Sequence, residues 1–88
     1  MRLDKYLKVS RLIKRRTVAK EMADQGRIDI NGRSAKAGST VGVGDRLTLH
    51  FGQKLVEVRV TLLKENARKD EADALYEVIR DQAAEAEK

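Results

Sequence analysis

The sequence predicts an α+β domain, in which two N-terminal helices pack on a small antiparallel sheet and a C-terminal helix follows. Chain length, the spacing of apolar residues and the position of turns support this prediction. Eighty-eight residues supply one small core. Apolar residues recur at helical spacing in residues 2–25 and 70–87, and they alternate with polar residues in between.

The two N-terminal helices are predicted to be short. The first covers residues 2–9, and its apolar residues share one face. The second covers residues 16–25 and ends at Gly26, which suits the left-handed conformation that follows many helices. Its buried stripe is predicted to contain Val18, Ala19 and Met22. Helices of this length are not stable alone, so we expect both to pack on the sheet.

The strands are predicted to form two hairpins. Ile28 and Ile30 alternate with charged residues and lead into Asn31-Gly32, a strong signal for a two-residue turn. A second tight turn at Gly52-Gln53 joins the alternating residues 47–51 to residues 56–62.

The tail is predicted to be helical from Asp70 to Glu87. Its apolar stripe consists of Ala72, Leu75, Tyr76, Ile79 and Ala83. Acidic residues cover most of the remaining surface. Two roles stay open for this helix, packing on the core or docking a protein partner.

Charge is distributed unevenly along the chain. Residues 1–36 carry 11 basic and four acidic side chains, a net charge of +7, whereas residues 64–88 carry five basic and eight acidic ones, a net charge of −3. A basic front of this kind is typical of proteins that bind polyanions. The alternative is a basic protein whose charge only keeps it soluble.

Eight cations lie within the first 20 residues, opposed only by Asp4. Arg matches phosphate oxygens with a planar fork, and Lys adds a mobile charge. The N–H groups at the two helix N-termini are also expected to favour anions. The candidate phosphate-binding residues are Arg2, Lys5, Lys8, Arg11, Lys14, Arg15, Arg16 and Lys20.

The sequence contains no recognisable catalytic or metal-binding set. There is no Cys, and His50 is the only His, so we expect neither a thiolate nucleophile nor a metal site. Asp4, Glu21 and Asp24 are expected to be helix-surface carboxylates rather than an acid and base pair. Residues 42–45 lack the Gly-Lys-Ser/Thr ending of a phosphate loop and are predicted to form a turn. We therefore predict no enzyme activity and no cofactor.

Folded RNA is the polyanion that these residues favour. A DNA reader places a long helix with base-reading side chains in the major groove, whereas the second helix is short and mostly charged. Only Tyr6, Phe51 and Tyr76 are aromatic, which is too few for a single-strand stacking platform. Recognition of shape and phosphates in structured RNA requires neither feature.

Four strings of residues occur together in the first 51 positions. They are Arg2-Leu3-Asp4-Lys5-Tyr6-Leu7, Arg16 with Ala19, Gly26-Arg27-Ile28-Asp29-Ile30-Asn31-Gly32 and Val43-Gly44-Asp45-Arg46-Leu47. Together they resemble the S-four domain, or alpha-L motif, an RNA-binding domain first defined in small-subunit ribosomal protein four. The resemblance implies that Arg2 and Arg16 contact RNA. Arg15 departs from the family, which usually has Ser there, so a hydroxyl cap is lost and a cation is gained.

Among free-standing S-four proteins, the chain is similar over nearly its whole length to the bacterial ribosome quality-control factor P group. The hairpin over residues 51–56 and the acidic tail add to this similarity. It implies a non-catalytic factor that binds large-subunit ribosomal RNA and peptidyl-tRNA on obstructed large ribosomal subunits. It also implies a partner protein that adds alanine residues to the stalled chain without a messenger. The alternative is the ribosome-associated heat-shock S-four group, which recycles large subunits carrying nascent chains.

We therefore predict an S-four-type RNA-binding domain over residues 1–65, with the acidic helix of residues 66–88 packed on it or extending from it. No apolar run approaches the roughly 20 residues that span a bilayer. The N-terminus also lacks the apolar stretch of a signal peptide. The expected protein is a soluble, cytoplasmic monomer with no membrane partner.

Overall fold

The structure, a computed structural model, describes the backbone of residues 1–83 and the side chains of residues 1–81. The predicted α+β architecture of two helices on an antiparallel sheet is confirmed. The elements are α1 Leu3–Val9, α2 Arg16–Asp24, β1 Ile28–Ile30, β2 Arg33–Ser34, β3 Arg46–Phe51, β4 Lys54–Val60, a 3-10 turn over Ala72–Leu75 and β5 Tyr76–Ala83.

The five strands form one sheet in the order β2-β1-β3-β4-β5, and all neighbours are antiparallel. Both predicted hairpin turns are present. Asn31 and Gly32 have φ values of 52° and 83°, the left-handed pair that a two-residue hairpin of this type needs. Gly52, with a φ of 58°, begins the turn between β3 and β4. The sheet thereby offers one apolar face to the helices.

The core lies between the helices and that face of the sheet. Leu3, Tyr6 and Leu7 of α1 are fully buried there, as predicted. The sheet contributes Ile28, Leu47, Leu49, Val56, Val58 and Val60. In α2 the buried residues are Ala19, Met22 and Ala23, whereas Val18 is 40% exposed. The prediction that Val18 is buried was wrong, because its position lies at the edge of the buried face, about 140° around the helix from Ala23.

The prediction of a C-terminal helix was also wrong. Residues 72–75 form a single 3-10 turn, and the chain then continues as β5 along β4. Tyr76 pairs with Val60 and Val78 pairs with Val58, so β5 satisfies backbone groups that β4 would otherwise expose as an edge. Tertiary pairing overrides the helical spacing in this segment. The remainder of the predicted helix, residues 84–87, lies outside the described residues.

Backbone groups from residues 37–41 hold the start of α1. The N–H groups of Leu3 and Asp4 donate to the carbonyl oxygens of Ser39 and Ala37, at 2.8 and 3.1 Å. Arg2 also forms an isolated antiparallel bridge with Thr40. The first turn of α1 is therefore fixed by a segment that is distant in sequence.

Candidate nucleic-acid interface

A buried carboxylate, that of Asp4, lies between the first residues of both helices. Its Oδ1 atom is 3.2 Å from Arg2 Nε, and its Oδ2 atom is 3.1 Å from Arg16 Nε. The backbone N–H of Lys5 also donates to Oδ1, at 2.8 Å. The prediction that Asp4 is a surface carboxylate was wrong, since residue 4 is only 4% exposed. It is buried because the 37–39 segment and the start of α2 close over the first turn of α1.

The surrounding donors keep Asp4 ionised. Burial alone would raise the pKa of Asp4, but hydrogen bonds from Arg16, from Arg2 and from the Lys5 backbone outweigh burial and lower this pKa below its ordinary value of 3.8. An ionised carboxylate can hold two guanidinium groups that would otherwise repel each other. Asp4 thus fixes the directions of Arg2 and Arg16.

The two arginines remain available to a ligand. The side chain of Arg2 is 57% exposed and that of Arg16 is 46% exposed, so N–H groups that do not reach Asp4 face solvent. The Arg2 guanidinium also lies against Gly38, where a Cβ atom would be 3.7 Å from Nη2. We call Arg2, Asp4 and Arg16 the arginine pair site. Its geometry suits an acceptor with several oxygens, such as phosphate.

We expected the N–H groups at the starts of both helices to be free. That expectation was wrong for α1, whose first N–H groups donate to Ser39 and Ala37. Arg15 precedes α2 in an extended conformation, and no side chain caps this helix. The loss of a hydroxyl cap at position 15, predicted from the sequence, is therefore confirmed.

Three further predicted residues, Lys8, Arg11 and Lys14, line one groove together with Val9 of α1. Asn66, Ala67 and Lys69, from the segment before the 3-10 turn, complete its lining. We call this feature the cationic groove; its volume is about 650 Å³. Along the axis of α1, roughly 9 Å of helix rise separates Arg2 from Lys8. The predicted cations thus gather at both ends of α1.

The other predicted cations join neither group. Lys5 forms an ion pair with Glu65. Arg15 and Lys20 are exposed, and the structure records no ion pair for them with the carboxylates of residues 1–81. An RNA-binding role for all eight residues stays a prediction.

Sequence reasoning missed Asp4 and Lys69. Asp4 is the one acid among the eight cations of the first 20 residues, and this was a signal that it could act as their shared counter-ion. Lys69 had no such signal, because only the fold brings residues 66–69 beside α1.

Acidic residues of the second half of the chain pair with cations of the same half. The ion pairs are Lys54–Asp81 at 3.2 Å, Arg59–Glu77 at 2.7 Å and Lys64–Glu71 at 3.4 Å. Lys8, Arg11 and Lys14 have no such partner among the side chains of residues 1–81. Positive charge is therefore left uncompensated at the helices.

Other kinds of site find no support in the described part of the chain. His50 Nε2 lies 3.4 Å from Asp29 Oδ2, and no group of three potential metal ligands occurs within the described residues. No helix in that part of the chain has the length and apolarity needed to cross a membrane.

Comparison with known proteins identifies the domain that contains the arginine pair site. Residues 1–47, which include both helices and β1, match the S4 domain family. The chain belongs to the S4 domain family. This is the S-four domain of the predicted resemblance, which is confirmed.

Two relatives of the chain share one name. "RQC P-site tRNA stabilizing factor" of Halalkalibacterium halodurans is 62% identical over 82 residues, which cover 93% of each chain. The protein of the same name from Bacillus subtilis is also 62% identical, over 93% of this chain and 95% of its own. The predicted similarity to the ribosome quality-control factor P group is thereby confirmed.

A solved structure shows the same fold. Heat Shock Protein 15 of Vibrio cholerae, described as trimeric, superposes with a TM-score of 0.83 and 32% sequence identity. The match covers 89% of this chain and 80% of that one. The S4 domain match ends at residue 47, so β4, the 3-10 turn and β5 lie beyond it.

Proposed function

We propose that the protein is a non-catalytic RNA-binding factor of bacterial ribosome quality control, which stabilises peptidyl-tRNA on an obstructed large ribosomal subunit. The arginine pair site carries this proposal, because it presents two oriented guanidinium groups on an S4 domain. Relatives named for stabilisation of P-site tRNA support the choice of ligand.

The site suits this role because it is organised before RNA arrives. Asp4 holds both guanidinium groups in place, so binding a phosphate costs less side-chain entropy than ordering two free arginines. The planar Arg forks then donate hydrogen bonds to phosphate oxygens in a defined direction. Stabilising a bound tRNA needs contacts of this kind and requires neither a nucleophile nor a base.

The finer parts of the proposal come from the similarity to factor P proteins. The protein contacts large-subunit ribosomal RNA as well as the tRNA, and it supports a partner protein that adds alanine residues to the stalled chain. It acts as a cytoplasmic monomer. Light scattering on the purified protein tests this last part, and a trimer like that described for the Vibrio cholerae structure would contradict it.

The decisive experiment substitutes one arginine of the pair. Arg16→Ala removes a phosphate-binding fork but leaves Asp4 paired with Arg2 and the Lys5 backbone, so the fold should persist. We expect the variant to leave the large-subunit fractions of a sucrose gradient. Arg59→Ala is the matched control, because Arg59 is an exposed arginine on the outer face of β4.

Retention of Arg16→Ala in the large-subunit fractions, with a normal circular dichroism spectrum, would contradict the proposal. Equal release of Arg59→Ala would show that binding depends on total charge alone. In that case the arginine pair would have no special part.

A second candidate function is that of a heat-shock factor that recycles large subunits carrying nascent chains. The structural match to Heat Shock Protein 15 favours it. Deletion of the gene distinguishes the two functions. Loss of alanine tails from stalled chains supports the first, whereas normal tails with accumulation of blocked large subunits after heat shock support the second.

A further inference from the structure

The cationic groove is a second concave site, separate from the arginine pair site. Lys8, Arg11, Lys14 and Lys69 supply its charge, and Asn66 adds an amide. Its aliphatic wall consists of Val9 and Ala67. No carboxylate lies in its lining. This combination selects an anion.

The four cations of the groove lack internal counter-ions. In the part of the chain whose side chains are described, every recorded ion pair involves other residues. Neighbouring Lys5 and Lys64, in contrast, each have a glutamate partner. Four like charges around one groove repel each other unless a ligand neutralises them. More than one negative charge is needed to balance them.

The backbone at Arg11 points to the same conclusion. Arg11 has a φ of 63°, a left-handed conformation that costs a residue with a side chain about 1–2 kcal/mol. Glycine would avoid this cost, yet the position carries a cation that faces the groove. Strain of this kind is found where a side chain must be presented to a ligand.

We propose that the cationic groove binds a phosphodiester strand of RNA, apart from the segment held by Arg2 and Arg16. A strand supplies a row of single negative charges, which matches cations contributed by two segments of the chain. The aliphatic residues Val9 and Ala67 can contact sugars, and no aromatic side chain lines the groove to read bases. This inference rests on the proposed function and extends it, because Asn66 and Lys69 lie beyond the S4 domain match.

The test substitutes Lys69 and compares it with Lys64. Lys69→Ala removes a cation of the groove, whereas Lys64→Ala removes the same charge from a side chain that is paired with Glu71 and lies outside the groove. Binding to purified large subunits carrying peptidyl-tRNA is measured between 50 and 200 mM salt. Each lost phosphate contact should reduce the slope of log affinity against log salt by about 0.7–0.9.

We expect Lys69→Ala to show this reduction and Lys64→Ala to keep the slope of the unaltered protein. An unchanged slope for Lys69→Ala, with binding lost in Arg16→Ala, would contradict RNA binding in the groove. The proposed function would not be affected. Unchanged binding in both Lys69→Ala and Arg16→Ala would overturn the inference about the groove and the proposed function. Unfolding curves confirm that the variants are folded, which is expected because Lys69 is exposed.

A second measurement identifies the ligand. Backbone amide signals of Arg11 and Lys69 are followed by NMR during titration with oligouridine, with inorganic phosphate and with polyglutamate. Shifts with oligouridine at concentrations far below those needed for phosphate support the proposal. Equal response to phosphate and oligouridine indicates a general anion site, and preference for polyglutamate indicates an acidic protein partner; either result overturns it.

Discussion

At position 4, one carboxylate sets the directions of two guanidinium groups from different helices. Arg2 precedes α1 and Arg16 begins α2, so Asp4 also ties the starts of both helices together. The proposed phosphate binding and the fold therefore depend on the same residues. A substitution at Asp4 should change both properties, whereas a substitution at Arg16 should mainly change binding.

Asp4→Asn should destabilise the protein by about 1–3 kcal/mol. The amide keeps the shape of the carboxylate but loses the charge-assisted hydrogen bonds to both arginines. Urea unfolding measures the change. Asp24→Asn serves as the control, because Asp24 is an exposed carboxylate of α2, and its change should stay within about 0.5 kcal/mol.

The same residue predicts a difference in acid stability. The pKa of Asp4 is lower in the folded chain than its ordinary value of 3.8, so its contribution is complete at pH values well above 3.8. It is lost as the pH falls from there through the lowered pKa. The stability gap between the unaltered protein and Asp4→Asn should therefore shrink on acidification. A gap that is constant with pH would contradict the ionised state of Asp4.

Arg11 offers a prediction about strain. Glycine at this position should make the protein more stable than alanine does, by about 1 kcal/mol, because both remove the side chain but only glycine relieves the left-handed backbone. Thermal unfolding of Arg11→Gly and Arg11→Ala compares the two. Equal stabilities would show that the backbone at Arg11 is relaxed.

At residue scale, the sequence predicted the cations well and their arrangement poorly. The sequence itself places eight positive side chains within the first 20 residues. Burial of Asp4, in contrast, depends on the 37–39 segment, which reaches α1 through backbone hydrogen bonds that no side-chain pattern encodes. Long-range contacts therefore determine which of the predicted cations belong to the arginine pair site and which to the cationic groove.

Among the elements, the 3-10 turn joins the second half of the chain to α1. The hydroxyl of Tyr6, which is buried, donates to the carbonyl oxygen of Leu75 at 2.8 Å. Burial raises the pKa of the Tyr6 phenol, so the hydroxyl stays protonated and remains a donor. Leu75 itself is fully buried in the core. The segment after β4 thus belongs to the packed structure of the domain.

Tyr6→Phe should cost about 0.5–1.5 kcal/mol, the usual net contribution of one hydrogen bond. The loss stays in this range because the Leu75 carbonyl also accepts from the backbone N–H of Thr61, at 3.0 Å, and is not left unsatisfied. Guanidinium unfolding measures the change. Tyr76→Phe, at a half-buried tyrosine of β5, is the control, and an equal loss there would remove the special role of the Tyr6 hydroxyl.

The sequence predicted the N-terminal elements within a residue or two, because short helices and Asn-Gly turns have strong local signals. It failed for the tail because Ala72, Leu75 and Tyr76 fit a helical stripe as well as they fit the observed turn and strand. Pairing with β4 decided between the two, and it continues on both sides of a register shift between Glu57 and Val58. Such pairing is a property of the fold and not of the local sequence.

At the scale of the whole molecule, acids of the second half pair mainly with cations of the same half. The cations around the helices keep few partners among the described residues. The basic front predicted from the sequence therefore keeps most of its positive charge unpaired in the folded domain. An RNA ligand would be attracted to the helical side.

Salt should therefore control binding strongly. If six to ten phosphates are contacted, affinity for large subunits carrying peptidyl-tRNA should fall on the order of a thousandfold or more between 50 and 200 mM salt. Equilibrium binding of a labelled protein measures this. A flat response would contradict a phosphate-based interface, and the folded state should be checked at each salt concentration by circular dichroism.

The hydrogen bonds from Leu3 and Asp4 to the 37–39 segment have a consequence for solvent exchange. First-turn amide protons usually exchange quickly with deuterium, since they lack partners within their helix. In this molecule they reach carbonyl oxygens more than 30 positions away, so they exchange only when that distant segment detaches. Exchange at the Leu3 and Asp4 amides would therefore report whether the 37–39 segment is still attached to α1.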